Sequence, residues 1–283
     1  YTLSLHDALP IFSPDAPAML TGNMPADGGN LIIEAENYEN FIKREPRAKP
    51  YIKRYMMGDE FINNIMRYCL WLVGISPKEL RSMPLVMERV RNVRELRQKS
   101  SQPKLADTPH LFREQRNPKR YIAIPTVSSE RRKYIPIGWL DDTVIPGSGG
   151  LMIIPGATLY HFGVLTSRVH MAWMRRVGGR LKSDYRYSKN IVYNTFAWPS
   201  PTEEQRKHIE STAQKILDAR ANHPECSFAD LYDDIAMPLD LREAHRANDA
   251  SVCGAYGWQE DISEEEIVQR LFGLYHELTV ASS

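Results

Sequence analysis

Pro199-Ser200-Pro201 divides this chain of 283 residues into two segments that obey different folding rules. Proline lacks the amide hydrogen that a helix interior or a sheet ladder needs, and it restricts the residue before it. Two prolines within three residues therefore end whatever precedes them. Upstream, between 119 and 162, YIAIPTV, KYIPIGWL, LMIIP and TLYHF are short β-forming runs separated by Pro, Gly and Ser turns. Downstream, Thr202 with Gln205 forms a capping box that opens a helix to about Asn222, with Ile209, Ala213, Ile216 and Leu217 inward. Ser263 with Glu266 repeats the device before Ile267, Leu271, Leu274 and Leu278, and a further helix falls between Leu239 and Cys253. The expected fold class is α+β: a domain with a β-sheet and packed helices at 31–199, then an all-helical domain at 200–283.

Charge follows the same division. Residues 1–199 carry 29 Lys+Arg against 18 Asp+Glu, whereas residues 200–283 carry 7 against 17. The overall net charge of +1 thus hides a basic segment followed by an acidic one, the arrangement of a basic binding module followed by an acidic module or of two ordinary surfaces that differ in charge. No apolar run approaches the roughly 20 residues of a membrane-spanning helix, so no membrane partner is expected. Cys69, Cys226 and Cys253 are scattered without a CxxC pair. This pattern speaks against a disulfide framework or zinc site and fits a reducing, cytoplasmic compartment.

The remaining elements are read from local pattern. YTLSLHDALPI at 1–11 lacks an initiator Met and resembles adapter-derived, non-native sequence, which makes the chain an N-terminally truncated fragment and removes His6 and Asp7 from consideration. Residues 12–30 read as a connecting loop, and Leu31-Ile32-Ile33 leads into a helix through Phe41. Ile42 to Arg54 reads as a basic loop, and Met66 to Val73 as a strand. A helix from Pro84 to Lys99 places Val86, Val90, Val93 and Leu96 on one face and Arg91, Arg94 and Arg97 on the other, a solvated face or a phosphate track. Gly163 to Val177 reads as a helix with Val164, Val169, Trp173 and Val177 buried, ended by Gly178-Gly179, and Ile191 to Phe196 returns to extended structure.

Catalytic signatures are absent. The chain has no Walker loop, GxGxxG, GxSxG or HExxH. His161 and His170 stand nine residues apart, unsuited to one ligand face; a structural role outweighs a base or phosphate contact for His161. Asp141-Asp142 and Asp233-Asp234 read as turn or cap residues. No catalytic residue, metal ligand or cofactor site is assigned.

The densest chemistry lies in RLKSDYRYSKNIVYNTFAWP, Arg180 to Pro199, where cations and one carboxylate interleave with Tyr185, Tyr187, Tyr193, Phe196 and Trp198. In an extended strand, Lys182, Asp184 and Arg186 share one face, with Leu181, Ser183, Tyr185 and Tyr187 on the other. Lys or Arg suits guanine O6/N7 and Asp accepts from cytosine N4, so the first face carries groups that read a G·C pair. An exposed ion-pair ladder is the alternative, and it would contribute little stability. A second basic cluster, Ser128-Ser129-Glu130-Arg131-Arg132-Lys133, forms a turn between strands.

IPTVSSERRKYIPIGWL, ATLYHFGVLTSRVHMAWMRRVGGRLKSDYRYS and IVYNTFAWP resemble the target-recognition domain of MmeI-like type II restriction–modification enzymes. DGGNLI and the helices after Pro199 are also similar, so the resemblance covers about residues 13 to 283. It implies a parent polypeptide with a nuclease and an S-adenosylmethionine-dependent adenine-N6 DNA methyltransferase, with Mg for cleavage. Neither the methyltransferase's Asn-Pro-Pro-aromatic loop nor a nuclease motif has a counterpart here, and residues 12–30 become the linker from the missing methyltransferase domain. The implied partners are double-stranded DNA and those N-terminal domains. In the family, specificity is read partly at alternating positions after GRL, which correspond here to Lys182, Asp184 and Arg186. Ser128, Ser129, Arg131, Arg132, Lys133, Arg180 and Tyr185 are expected to contact the DNA backbone or to support the reading residues. The competing expectations are a protein-interaction module whose basic face meets an acidic partner and, more weakly, an RNA-binding module.

Overall fold

The computed structural model describes residues 16–281, so the expectation for residues 1–11 lies outside the described residues. Strands β1 (Leu20–Thr21) and β2 (Ile32–Glu34) precede α1 (Ala35–Arg44). They are followed by β3 (Ile52–Met56), α2 (Gly58–Asn63), β4 (Arg67–Leu70), α3 (Pro77–Arg81) and α4 (Pro84–Gln98). Next come β5 (Arg120–Pro125), β6 (Val127–Ser128), β7 (Gly138–Asp141), β8 (Val144–Pro146) and β9 (Leu151–Pro155). Helices α5 (Leu159–Leu165) and α6 (Arg168–Val177) lead into β10 (Gly179–Leu181) and β11 (Asp184–Arg186). The chain finishes with α7 (Glu203–Ala221), α8 (Phe228–Leu231), α9 (Leu239–Ala255) and α10 (Glu264–Ala281). The fold is α+β, as expected, and helical after Pro201.

Packing divides the described residues into two compact units, one holding Thr21–Arg120 and Leu140–Ile153, the other Tyr121–Trp139 and the described residues before Thr21 and after Ile153. The hairpin β10–β11 and the C-terminal helices share the second unit, so Pro199-Ser200-Pro201 is not a boundary of packing.

In the first unit a sheet of order β2-β4-β3-β8 is antiparallel except for the parallel β3–β8 pair. Its core gathers Leu31, Ile33, Leu70, Leu72 and Ile145 with Val86, Val90 and Val93 of α4. The fourth stripe position is not Leu96, which is 42% exposed, but Arg97, 1% exposed. Its guanidinium donates to the carbonyl oxygens of Pro25, Ala26, Leu105, Thr108 and Leu111 at 2.7–3.0 Å. Five carbonyl oxygens thereby offset the desolvation of one buried cation. Arg91 and Arg94 remain exposed, so the expected basic stripe loses its third member. Met19, Asn23 and Asp27 are buried, which makes the loop before β2 a packed segment. The basic stretch after Ile42 is also more regular than expected, forming a 3-10 turn over Pro46–Tyr51 and then β3.

The second unit is dominated by helices. Thr202 caps α7 through Gln205 N at 3.2 Å, and the Gln205 side chain accepts from Thr202 N at 2.8 Å. Ile209, Ala213 and Ile216 are fully buried, and Leu217 is half-buried. Ser263 caps α10 through Glu266 N; Ile267 and Leu271 are buried while Leu274 and Leu278 are half-buried. TLYHF is a helix start, not a strand: Thr158 is the N-cap of α5, and His161 Nδ1 accepts from Thr158 N at 3.0 Å. The single helix expected from Gly163 to Val177 is broken at Thr166-Ser167, where Ser167 caps α6. Gly163 is required on α5, because a Cβ there would lie 2.7 Å from Ile209 Cγ2 of α7. Without one, the Gly163 carbonyl accepts from Asn248 of α9 at 2.8 Å.

Candidate nucleic-acid interface

Gly178 ends α6 with its N–H on the Met174 carbonyl, and a Cβ at this position would meet that oxygen at 2.5 Å. The chain then turns directly into the hairpin β10–β11, which pairs Gly179 with Arg186, Arg180 with Tyr185 and Leu181 with Asp184. Strand β11 continues onto β6 through Tyr185–Ser128 and Arg186–Val127. The small sheet β10-β11-β6 therefore brings together the two clusters expected to meet DNA.

The hairpin corrects the expectation of one extended strand. Lys182 and Ser183 are its two-residue loop, and Lys182 takes a positive φ of +56°. A non-glycine residue there costs about 1–2 kcal/mol. Lys182 consequently leaves the face it was expected to share and projects from the tip.

Cross-strand partners lie on one face of a sheet, so Leu181, Asp184 and Arg186 share a face with Gly179. Arg180 and Tyr185 share the other, with the guanidinium carbon 4.1 Å from the ring centroid. That second face is inward, because Tyr185 is 7% and Ser128 3% exposed. Arg180 also donates to the Ser183 carbonyl at 3.0 Å, so it braces the loop while remaining exposed. The outward face keeps Arg186 and Leu181 exposed and Asp184 half-exposed.

The turn after β6 meets the outward face at Asp184. Glu130 N donates to Asp184 Oδ1 and Arg132 Nη1 to Ser128 Oγ, both long at 3.4 Å. Ser129 Oγ accepts from Arg131 N at 3.4 Å, an ST-type bond that shapes the turn. Arg131 is exposed. Arg132 is half-buried between Asp184 and Asp233; burial lowers its pKa, and the two carboxylates offset this only in part. Lys133 turns toward α6 and α9, its ammonium 5.5 Å from the Tyr134 ring and its carbonyl accepting from Arg175. It lines a cleft of about 550 Å³ with Arg168, Arg175, Arg246 and Asp249.

None of the five interleaved aromatics is available for stacking on bases. Tyr185, Tyr187, Tyr193, Phe196 and Trp198 are 0–8% exposed. Tyr187 Oη lies 2.9 Å from His170 Nε2, and the same imidazole meets Phe196 edge-on at 4.6 Å. Burial of His170 pulls its pKa down to about 3, so it is a neutral core residue. Ile191 to Phe196 is not extended; a π-helical turn over Lys189–Tyr193 carries Val192 and Tyr193 inward.

A buried polar network anchors the end of the turn. Tyr134 Oη donates to Asp249 Oδ2 at 2.6 Å, and Arg168 N donates to Oδ1 at 2.7 Å. Burial pushes the Asp249 carboxyl up to about 6 despite these bonds. Tyr134 stacks on His245, whose Nε2 lies 2.9 Å from Tyr232 Oη, and Arg220 donates to that hydroxyl and to the Ile137 carbonyl. Sequence reading missed Tyr134, Arg220, His245 and Asp249 because their partners are 12 to 115 residues away. Asp141 and Asp233 accept from nearby backbone N–H groups, as expected of turn residues. Among the described residues no group of His, Cys, Asp and Glu is placed to hold a metal ion, and no helix is long and apolar enough to cross a membrane.

Comparison with known proteins matches this architecture to one family. The MmeI target recognition domain profile covers residues 8–200 and the MmeI C-terminal domain profile covers residues 201–281. DNA methyltransferase A of Bacillus subtilis (strain 168) is 40% identical over 270 residues, 94% of this chain and 30% of that protein. A solved structure of the Type IIL restriction-modification enzyme MmeI in complex with DNA superposes with a TM-score of 0.92 at 44% identity, over 97% of this chain and 37% of that one. The chain thus spans about a third of the length of these relatives. With two adjoining domain profiles matched across nearly its whole length, the chain belongs to the MmeI family.

Proposed function

We propose that this chain selects a sequence in double-stranded DNA for a restriction–modification enzyme, using the outward face of β10-β11-β6. The observation that carries the reading is the face itself: a two-stranded ribbon with Lys182 at its tip and Asp184 and Arg186 on its open side. A ribbon of this width fits the major groove, where acceptor and donor patterns distinguish all four base pairs. Lys182 and Asp184 read one pair, and Arg186 reads a neighbouring base. Arg131 meets a phosphate from the exposed side of the turn. Arg180 and Tyr185 stiffen the ribbon from behind, and Ser128, Ser129 and Arg132 position the turn against Asp184.

The relatives support the chemistry of the partner, since one is named as a DNA methyltransferase and another was solved with DNA. Adenine-N6 methylation, its S-adenosylmethionine and the Mg of cleavage belong in this proposal to other domains of a parent polypeptide working in the cytoplasm. No residue described here is assigned to them.

The test is exchange of Lys182 and Asp184, K182D with D184K, followed by selection of bound duplexes from a random pool. The expected result is a changed base at one position with the rest of the site retained. An unchanged site overturns the assignment.

A further inference from the structure

The outward face contains one group that donor and acceptor reading does not use. Leu181 is 51% exposed, stands directly opposite Asp184 in the hairpin register, and adjoins the strained Lys182 turn. Its neighbours on this side are Asp184, Arg186 and the side-chain-free Gly179. Lys182 follows it in the loop and Arg186 shares its face, and this positive charge complements a phosphate-lined groove and not an apolar protein surface.

We propose that Leu181 senses the substituent at C5 of a pyrimidine beside the base contacted by Asp184. The inference rests on the DNA-reading function proposed above. A carboxylate only accepts, so in the major groove Asp184 faces an exocyclic amino group such as cytosine N4. C5 is the next atom of the pyrimidine edge, bearing hydrogen in cytosine and a methyl group in thymine. Cross-strand side chains stand about 4.5–5.5 Å apart, and stacked bases rise about 3.4 Å. With Asp184 on one amino group, Leu181 falls on the C5 position of that base or of its immediate neighbour. An apolar group there gains from a methyl and gains nothing from a hydrogen. Lys182 at the tip keeps this contact in register, because its loop sets the height of Leu181 above the base edges.

The experiment starts with the full chain and duplexes that it enriches from a random pool. At each pyrimidine of the enriched site, thymine is replaced by deoxyuridine, or cytosine by 5-methyldeoxycytidine, and affinity is measured for the native chain and for Leu181→Ala. Burial of one methyl group predicts roughly a four-fold change in affinity at one position for the native chain. The same change disappears in Leu181→Ala, whose half-exposed side chain contributes little to the core. No dependence on C5 at any position, or the same dependence retained in Leu181→Ala, overturns the proposal. Failure to enrich any sequence overturns the DNA-reading function instead, so the two failures are distinguishable.

Discussion

The two halves of the run from Arg180 to Trp198 differ in composition, charged in the first and uncharged in the second, and they meet opposite fates. In the first half the charged groups stay at the surface: Lys182 and Arg186 are exposed and Asp184 half-exposed, on a hairpin held from behind by Tyr185. In the second half the aromatics disappear into the core around His170, with Tyr193 and Phe196 fully buried. Interleaved cations and aromatics therefore did not make a stacking surface for bases. The aromatics build the platform and the charges stand on it. The division of labour predicts that changes in the second half cost stability and changes in the first half alter binding.

The largest expected effect is Phe196→Ala, which opens a cavity beside His170 and should cost about 3–5 kcal/mol in urea unfolding. At a temperature where that variant remains folded, its enriched DNA site should match that of the native chain. A changed site would mean that the platform also reads.

Next in size is Asp184→Ala, expected to relax discrimination at one base position by about 1–3 kcal/mol while moving the unfolding midpoint little. A large stability loss would instead make Asp184 a structural anchor for Glu130 and Arg132.

Arg131 and Arg132 sharpen the comparison within one turn. Arg131→Gln should weaken all sequences alike and lower the salt dependence of binding by about one unit of slope. Arg132→Gln, next to Asp184, should affect discrimination more than slope. Equal, sequence-independent losses from both would make Arg132 a phosphate contact, as its sequence position alone suggested.

The smallest effect is on pH dependence. Burial holds His110, His170 and His245 below their ordinary pKa, so below about 6.5 the unfolded chain takes up protons at three histidines that the folded chain resists. Asp249 acts in the opposite sense, because its raised carboxyl binds a proton in the folded state as pH falls through about 6. Three histidines against one carboxyl leave a net loss of stability from pH 6.5 toward pH 4. Urea midpoints at pH 7, 6 and 5 should fall in that order, less steeply in His170→Phe.

Local signals were legible where a neighbour in sequence is also the partner in space. The Thr202–Gln205 box and the Val86, Val90, Val93 stripe needed only helical spacing, and both appear as expected. Thr158 was misread because a β-like composition in TLYHF concealed an N-cap, and tertiary packing of α5 decided the outcome. Arg97 was misread for a related reason. Its spacing suits the buried face as well as the exposed one, and only five carbonyls, two of them 71 and 72 residues away in the chain, make burial of its charge tolerable.

The reading face shows the same limit. Alternation correctly joined Asp184 to Arg186 but carried Lys182 onto their face and Leu181 off it, because period-2 counting holds only while the backbone stays extended. By itself the sequence determined the fold class, the helices after Pro201 and the family, all properties of local pattern and long motifs. Tertiary structure alone decided that the strand turns back at Lys182-Ser183 and that the turn after β6 pairs beside it. It also placed Leu181 beside Asp184. These are consequences of register, and register is set by which faces the rest of the molecule buries.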